Sequence, residues 1–206
     1  MPPTTDLGPV ATPPGDLTAK ARIRTAALHL LASHGEAGAS MRAIAAAAGV
    51  TVGLVVHHFS TKDALIRAVE GRIVEQFAEA IASAAVGSSS TDVVAARDAA
   101  VARMLATQPD VVSHLRRALL NGRRREGDLL ERLAELTAQQ VVELRAQGLA
   151  SNRSSVATQV NVILVRQLGR LLLQPLVERV SQQFGESHSP ELVVGLRGSR
   201  SAASSA

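Results

Sequence analysis

Residues 40–65, SMRAIAAAAGVTVGLVVHHFSTKDAL, constrain this chain more than any other stretch. Ser40 can cap a short helix in which Met41, Ile44, Ala45 and Ala48 recur at helical spacing. Gly49 can close that helix in the left-handed conformation without a steric penalty, and Val50 offers an apolar plug under the turn. Thr51 can cap a second helix, expected from Val52 to about Phe59. Ser60-Thr61-Lys62-Asp63 then reads as a capping box that starts a further helix. Two short helices about a glycine turn make a helix-turn-helix over residues 40–59, and the second helix of such a unit fits a DNA major groove.

The charge around this motif suits a phosphate partner. Residues 18–72 carry Lys20, Arg22, Arg24, Arg42, Lys62, Arg67 and Arg72 against only Glu36, Asp63 and Glu70. A basic end of this kind attracts nucleic acid, although a merely solvated surface has the same composition. Apolar residues make up 46% of the 206, but Phe59, Phe77 and Phe184 are the only aromatics. That aliphatic mix favours helices packed through Leu and Ala over a β-sandwich. The absence of Cys excludes disulfides and thiolate metal sites, and fits a reducing, cytoplasmic setting.

The expected fold is all-α with about nine helices. Residues 1–17, with five Pro and no apolar periodicity, read as a disordered arm without the features of a signal peptide. Thr18 can cap a long first helix through Ile23, Ala27, Leu30 and Leu31, which Gly35 stops. The helix after the motif should run to about Ala85, where Gly87-Ser88-Ser89-Ser90 breaks the chain. Further helices are expected from Thr91 or Asp92, from Pro109, from the Asp128–Glu131 capping box to about Gln147, and from about Ser154 to Phe184. A unit over 18–72 that holds the motif, a larger helical unit over 73–184 and a flexible tail over 185–206 follow from this division. The uncharged run from Ala43 to Val56 is too short to span a bilayer, so no membrane partner is expected.

Between Val160 and Val180 aliphatic residues surround the last helix instead of forming one stripe, which implies cover on both sides. One side can face the protein's own core and the other a second copy. Leu129, Leu133 and Leu136, with Leu164, Leu168, Leu171, Leu172 and Leu176, are the candidate dimer interface. A purely monomeric core is the alternative.

From about Ala21 to Ile73 the chain resembles the tetracycline-repressor (TetR) family of transcriptional regulators. The resemblance rests on ARIRTAALHLLASHG, Gly38-Ala39-Ser40, Ile44-Ala45-x-x-Ala48-Gly49-Val50 and His57-His58-Phe59-Ser60-x-Lys62-Asp63-x-Leu65. It implies a homodimer whose two recognition helices dock in successive major grooves of a roughly palindromic double-stranded operator. It also implies a small-molecule effector, of unknown identity, that releases the DNA by favouring the incompetent state. A regulator or activator that answers to a protein partner, or a helical enzyme or lipid carrier, are the competing readings.

Helical spacing puts Val55 and Phe59 inward, and Val52, Gly53, Val56 and His57 outward toward DNA. Thr51 at the helix start and Arg42 are phosphate candidates, and Lys62 matches the family's phosphate-contacting lysine. Lys20 and Arg22 are placed where an N-terminal arm could reach a groove. Val52 and Val56 depart from the family's more polar pattern. Aliphatic groups can read a thymine methyl but cannot hydrogen-bond a base edge, so modest affinity carried largely by phosphate and shape is expected.

Met104, Leu105, Gln108, Val112, His114, Leu115, Leu119 and Gln167 are candidate ligand-pocket residues, each with plain core or surface as the alternative. Arg116, Arg117 and Arg123–Arg125 could attract an acidic effector or form a second phosphate surface, or simply supply solubility and favourable charge at a helix end. No cofactor or metal is called for. Catalysis finds no support either, since the chain lacks G-x-S-x-G, a phosphate-loop motif and H-E-x-x-H.

Overall fold

The computed structural model describes residues 14–84, 90–120 and 127–196. The break expected at 87–90, the arginines at 123–125, most of the N-terminal arm and the last part of the tail therefore lie, wholly or mainly, outside the described residues. The described residues form eight α-helices and no strand. They are α1 (Pro14–Gly38), α2 (Met41–Ala48), α3 (Val52–Phe59), α4 (Lys62–Ala82), α5 (Ser90–Ala106), α6 (Pro109–Leu120), α7 (Leu129–Ala146) and α8 (Val156–Gln183). The all-α expectation holds, with eight helices in place of about nine.

α1 starts earlier than the sequence suggests. Pro14 opens it, a residue whose fixed φ is already helical and whose missing N–H is not needed there, so residues 14–17 are helix and not arm. Gly35 interrupts α1 at φ 69°, ψ −175°, a conformation open essentially to glycine alone.

The chain divides into two compact units, Met1–Arg72 and Ile73–Ala206. In the first, α1 packs on α2 and α3, and α2 on α3. Its core is Ile23, Ala27 and Leu31, Ile44, Ala45 and Ala48, Val55 and Phe59, then Leu65, Ile66 and Val69. Burial of each large aliphatic side chain contributes about 1.5–3 kcal/mol, and that holds the short α2 and α3 in place where helix propensity alone would not.

In the second unit α7 packs along α8, and α6 touches α5 and α7. Asp128 caps α7, its carboxylate accepting the Glu131 N–H at 3.0 Å, while Glu131 accepts from the Gly127 N–H at 2.8 Å. Leu129 and Leu133 are only 1% and 3% exposed. They belong to the core of their own protomer, which corrects their placement in a dimer interface: the apolar stripe of α7 turns inward. The segment after α8 also differs from the flexible tail expected. Over 185–196 it has no regular secondary structure, yet the Leu192 N–H donates to Gln174 Oε1 at 2.8 Å and Gln174 Nε2 donates to the Pro190 carbonyl at 3.1 Å. Arg170 pairs with Glu191 at 2.7 Å beside this amide clamp. A Cβ on Gly169 would lie 3.0 Å from Val194, so the glycine is what lets the segment lie close on α8.

Candidate nucleic-acid interface

The turn between α2 and α3 is set by three local devices. Ser40 Oγ accepts the Ala43 N–H at 3.1 Å and starts α2. Gly49 sits at φ 63°, ψ 41° and ends it, with the Val50 N–H donating to the Ala45 carbonyl at 3.0 Å. Thr51 Oγ1 accepts the Leu54 N–H at 3.2 Å and starts α3. The Thr51 hydroxyl hydrogen is not used by that cap and can still donate to a phosphate.

Packing then fixes which side of α3 faces out. Val55 and Phe59 are 0% and 5% exposed, whereas Val52 and Val56 are 41% and 46% exposed. Gly53 and His57 are exposed as well, so the four outward residues expected from helical spacing share one open face. His58 is half-buried, its ring centroid 5.5 Å from that of His57 and 6.1 Å from that of Phe59. Gly53 has no packing reason to be glycine: a Cβ there would meet nothing nearer than Thr51 Oγ1 at 3.9 Å.

The helix exit is tighter than a capping box. Ser60 has φ 56°, ψ −54°, and the Thr61 N–H reaches back to the Phe59 carbonyl, which is a γ-turn of the strained, positive-φ kind. The residue that caps α4 is Thr61, whose Oγ1 accepts the Ala64 N–H at 3.1 Å. Ser60, taken from sequence as the cap, is displaced by one position because the γ-turn consumes it.

Three of the basic side chains near the motif are engaged within the unit, and Arg42 is not. Arg22 donates to the carbonyls of Ala48 and Gly49, and Lys62 donates to the Glu36 carbonyl. Lys20 holds its ammonium 5.9 Å from the centre of the Phe59 ring. Cations at the C-terminal ends of helices offset their negative dipole and satisfy otherwise orphaned carbonyls. Lys20 and Arg22 therefore do not sit on a free arm: α1 begins before them and carries both. Arg42 is exposed on α2 and has no side-chain hydrogen bond or ion pair among the described residues. The assembled face offers an exposed helix start, one unengaged guanidinium, a free hydroxyl donor and two valines, a surface suited to a phosphate backbone with apolar contacts beside it.

The family profile described as bacterial regulatory proteins, tetR family, matches residues 23–69, which hold α2, the turn, α3 and its exit. Residues 23–69 carry a TetR-family DNA-binding region. The HTH-type transcriptional regulatory protein RaaS of Mycobacterium tuberculosis is 46% identical over 69 residues, which cover 34% of this chain and 32% of RaaS. The match thus spans about a third of the length of that relative. Among solved structures, the multidrug-binding protein EbrR in complex with imidazole shares 26% identity at a TM-score of 0.58, over 89% of this chain and 95% of its own. A TetR-family regulator from Shewanella sp. PV-4 shares the fold at a TM-score of 0.61 and 21% identity, over 81% and 90% of the two chains.

In the second unit, two of the adjoining cavities share part of their walls. A cleft of about 410 Å³ is lined by Leu105, Val112 and Gln167, three of the expected pocket residues, together with Val101, Leu171, Arg116, Arg166 and Arg170. A smaller cavity of about 60 Å³ is lined by Phe77, Leu133, Val141, Arg97 and Thr137, again with Gln167. Leu136, Leu164 and Leu168, expected at an interface, line this smaller cavity. His114 and Leu115 are instead core, at 6% and 0% exposure, and Met104, Gln108 and Leu119 line neither cavity. On α6 Val112 and Arg116 face the cleft, while Val111, His114 and Leu115 are buried in packing.

Arg97, Asp98 and Arg166 were missed by sequence reasoning. Asp98 pairs with Arg166 at 2.6 Å and accepts from Gln167 Nε2 at 3.0 Å, joining α5 to α8. The available signal was Arg166 and Arg170 standing inside an otherwise aliphatic run. A charge in such a place needs a buried partner or a ligand.

Proposed function

We propose that the chain is a homodimeric transcriptional repressor that binds a palindromic operator through α3 and is released by a small molecule held in the second unit. The observation that carries the DNA-binding part is the face of α3: Val52, Gly53, Val56 and His57 stand exposed on a doubly capped helix, with Arg42 unengaged on α2. RaaS, 46% identical over 69 residues, is named as a transcriptional regulatory protein. The effector part is supported by the cavities and by EbrR, a multidrug-binding protein also solved with malachite green.

Dimerisation is supported by α8. Its apolar stretch has a mean hydropathy of 1.3, yet only 6% of it is buried within the protomer. Leu173, Leu176 and Val180 remain 46%, 48% and 43% exposed. In a TetR-family protein a second copy is the cover that such a face requires.

Gel-shift titration against DNA adjoining the protein's own gene, at fixed salt, tests the reading. Saturable, sequence-preferring and salt-sensitive binding is expected. Equal affinity for unrelated DNA at every salt concentration would refute it. Leu176→Glu should convert a sedimenting dimer to a monomer, and a variant that remains dimeric removes α8 from the interface.

A further inference from the structure

We propose that the ligand of the second unit is an amphipathic anion, an aliphatic carboxylate being the simplest case, with its acid group on Arg97 and Arg166. The proposal rests on the effector reading above and adds the chemistry that the site accepts.

Arg97 on α5 and Arg166 on α8 line the same small cavity. Arg97 Nη1 and Arg166 Nε are both buried, and neither has a hydrogen-bond partner among the described residues. The one carboxylate on this wall, Asp98, already takes a contact from Arg166 at 2.6 Å and another from Gln167 at 3.0 Å. Two guanidinium groups against one carboxylate leave a net positive charge, with two unused donors beside it. An unmade hydrogen bond from a buried charged donor is costly, and a carboxylate oxygen is the acceptor that matches guanidinium geometry.

The remaining wall sets the other end of the molecule. Around the arginines the small cavity is mostly aliphatic, and its neutral polar residues are Thr137, Gln140 and Gln167. Its 60 Å³ cannot hold a whole ligand, but the 410 Å³ cleft shares Asp98, Arg166 and Gln167 with it. That cleft adds Val101, Leu105, Val112 and Leu171 as an apolar track. Its other cations are engaged: Arg116 donates to the Leu171 carbonyl at 3.0 Å, and Arg170 pairs with Glu191 at 2.7 Å. The unused donors thus mark one place for an acid, and the aliphatic track gives the attached chain somewhere to lie. A cationic ligand meets the wrong sign of charge, and with no Trp or Tyr the chain has no indole or phenol group to cage one.

The test is isothermal titration of the full chain with decanoate, decanol and decylammonium, each below its self-association concentration. Decanoate should bind about tenfold tighter than decanol, with decylammonium weakest. Arg97→Gln should shrink the decanoate-to-decanol ratio by about tenfold, with circular dichroism confirming the fold. If that variant does not fold, Arg166→Lys, which keeps the charge and removes the Nε donor, carries the same measurement. Equal affinity for decanol, a ratio indifferent to these substitutions, or no saturable binding overturns the proposal. A parallel gel shift separates it from the reading it rests on. Decanoate that binds without releasing DNA sinks the effector role and keeps the ligand class; release by a cationic ligand alone does the reverse.

Discussion

Gly53→Ala should make the protein more stable and a worse DNA binder, while Gly49→Ala should do harm through the fold itself. The two glycines flank one turn, and the structure gives them opposite environments. At Gly53, inside α3, an added Cβ finds only Thr51 Oγ1 at 3.9 Å, an ordinary contact. Replacing glycine by alanine in an unstrained helical position stabilises by about 0.5–1 kcal/mol, by helix propensity and a less disordered unfolded chain. At Gly49 the backbone is at φ 63°, where a Cβ costs about 1–2 kcal/mol, and that Cβ would stand 2.8 Å from the Arg22 guanidinium. Displacing Arg22 from the carbonyls of Ala48 and Gly49 removes about 1 kcal/mol more, discounted because the group is partly exposed. The expected losses at Gly49 therefore total about 2–3 kcal/mol. Urea unfolding followed by circular dichroism reads both, since the chain has no Trp or Tyr for fluorescence. In a gel shift Gly53→Ala should lose about tenfold in operator affinity, because its Cβ intrudes where the bare backbone meets DNA. A Gly53→Ala protein that is destabilised, or that binds the operator as tightly as the parent, refutes the idea that this glycine is kept for close approach.

Ser60→Gly should stabilise the protein by about 1 kcal/mol, since the γ-turn strain at φ 56° disappears and exceeds the extra chain entropy; a lower urea midpoint would count against it. Lys62→Ala should weaken binding to all DNA sequences alike and flatten the plot of log affinity against log salt by roughly one unit. The same change should cost about 1 kcal/mol of stability, because the ammonium also caps the Glu36 carbonyl. A shift in base preference would contradict the phosphate role.

What could be read from the sequence was what local chemistry decides. Ser40, Thr51 and Asp128 act as caps because their side-chain oxygens reach N–H groups three residues on, and that geometry needs no tertiary information. Gly49 and Gly148 end helices at positive φ for an equally local reason. The outward face of α3 follows from the 3.6-residue period once Phe59 is taken as buried. Arg22, Lys20 and Lys62 were misread or only partly read because a long side chain's partner depends on where another helix ends. Arg22 and the carbonyl of Ala48 are far apart in sequence and meet only when α1 crosses the end of α2. Ser60 was misread because a strained turn and a capping box share the same residue types.

The last helix shows where periodicity stops being informative. Twelve aliphatic side chains between Val160 and Val180 exclude a simple one-sided surface helix, but they do not say how the cover is divided. In the folded unit it is divided among different partners. α7 packs along α8, Gly169 and Gln174 receive the segment around Val194, and Leu164 and Leu168 line a cavity. Leu173, Leu176 and Val180 are left open. Arg166 and Arg170, two of the four charges in the run, mark a change of role along it. Arg166 ties the middle of α8 to Asp98 beside the cavities, while Leu173, Leu176 and Val180 beyond Arg170 stay open. On this reading a ligand at Arg166 and a partner at Leu176 act on the same helix, about three turns apart at 3.6 residues per turn. A ligand that binds one arrangement of α8 more tightly would then bias the dimer without touching it, which is the differential affinity that effector release requires.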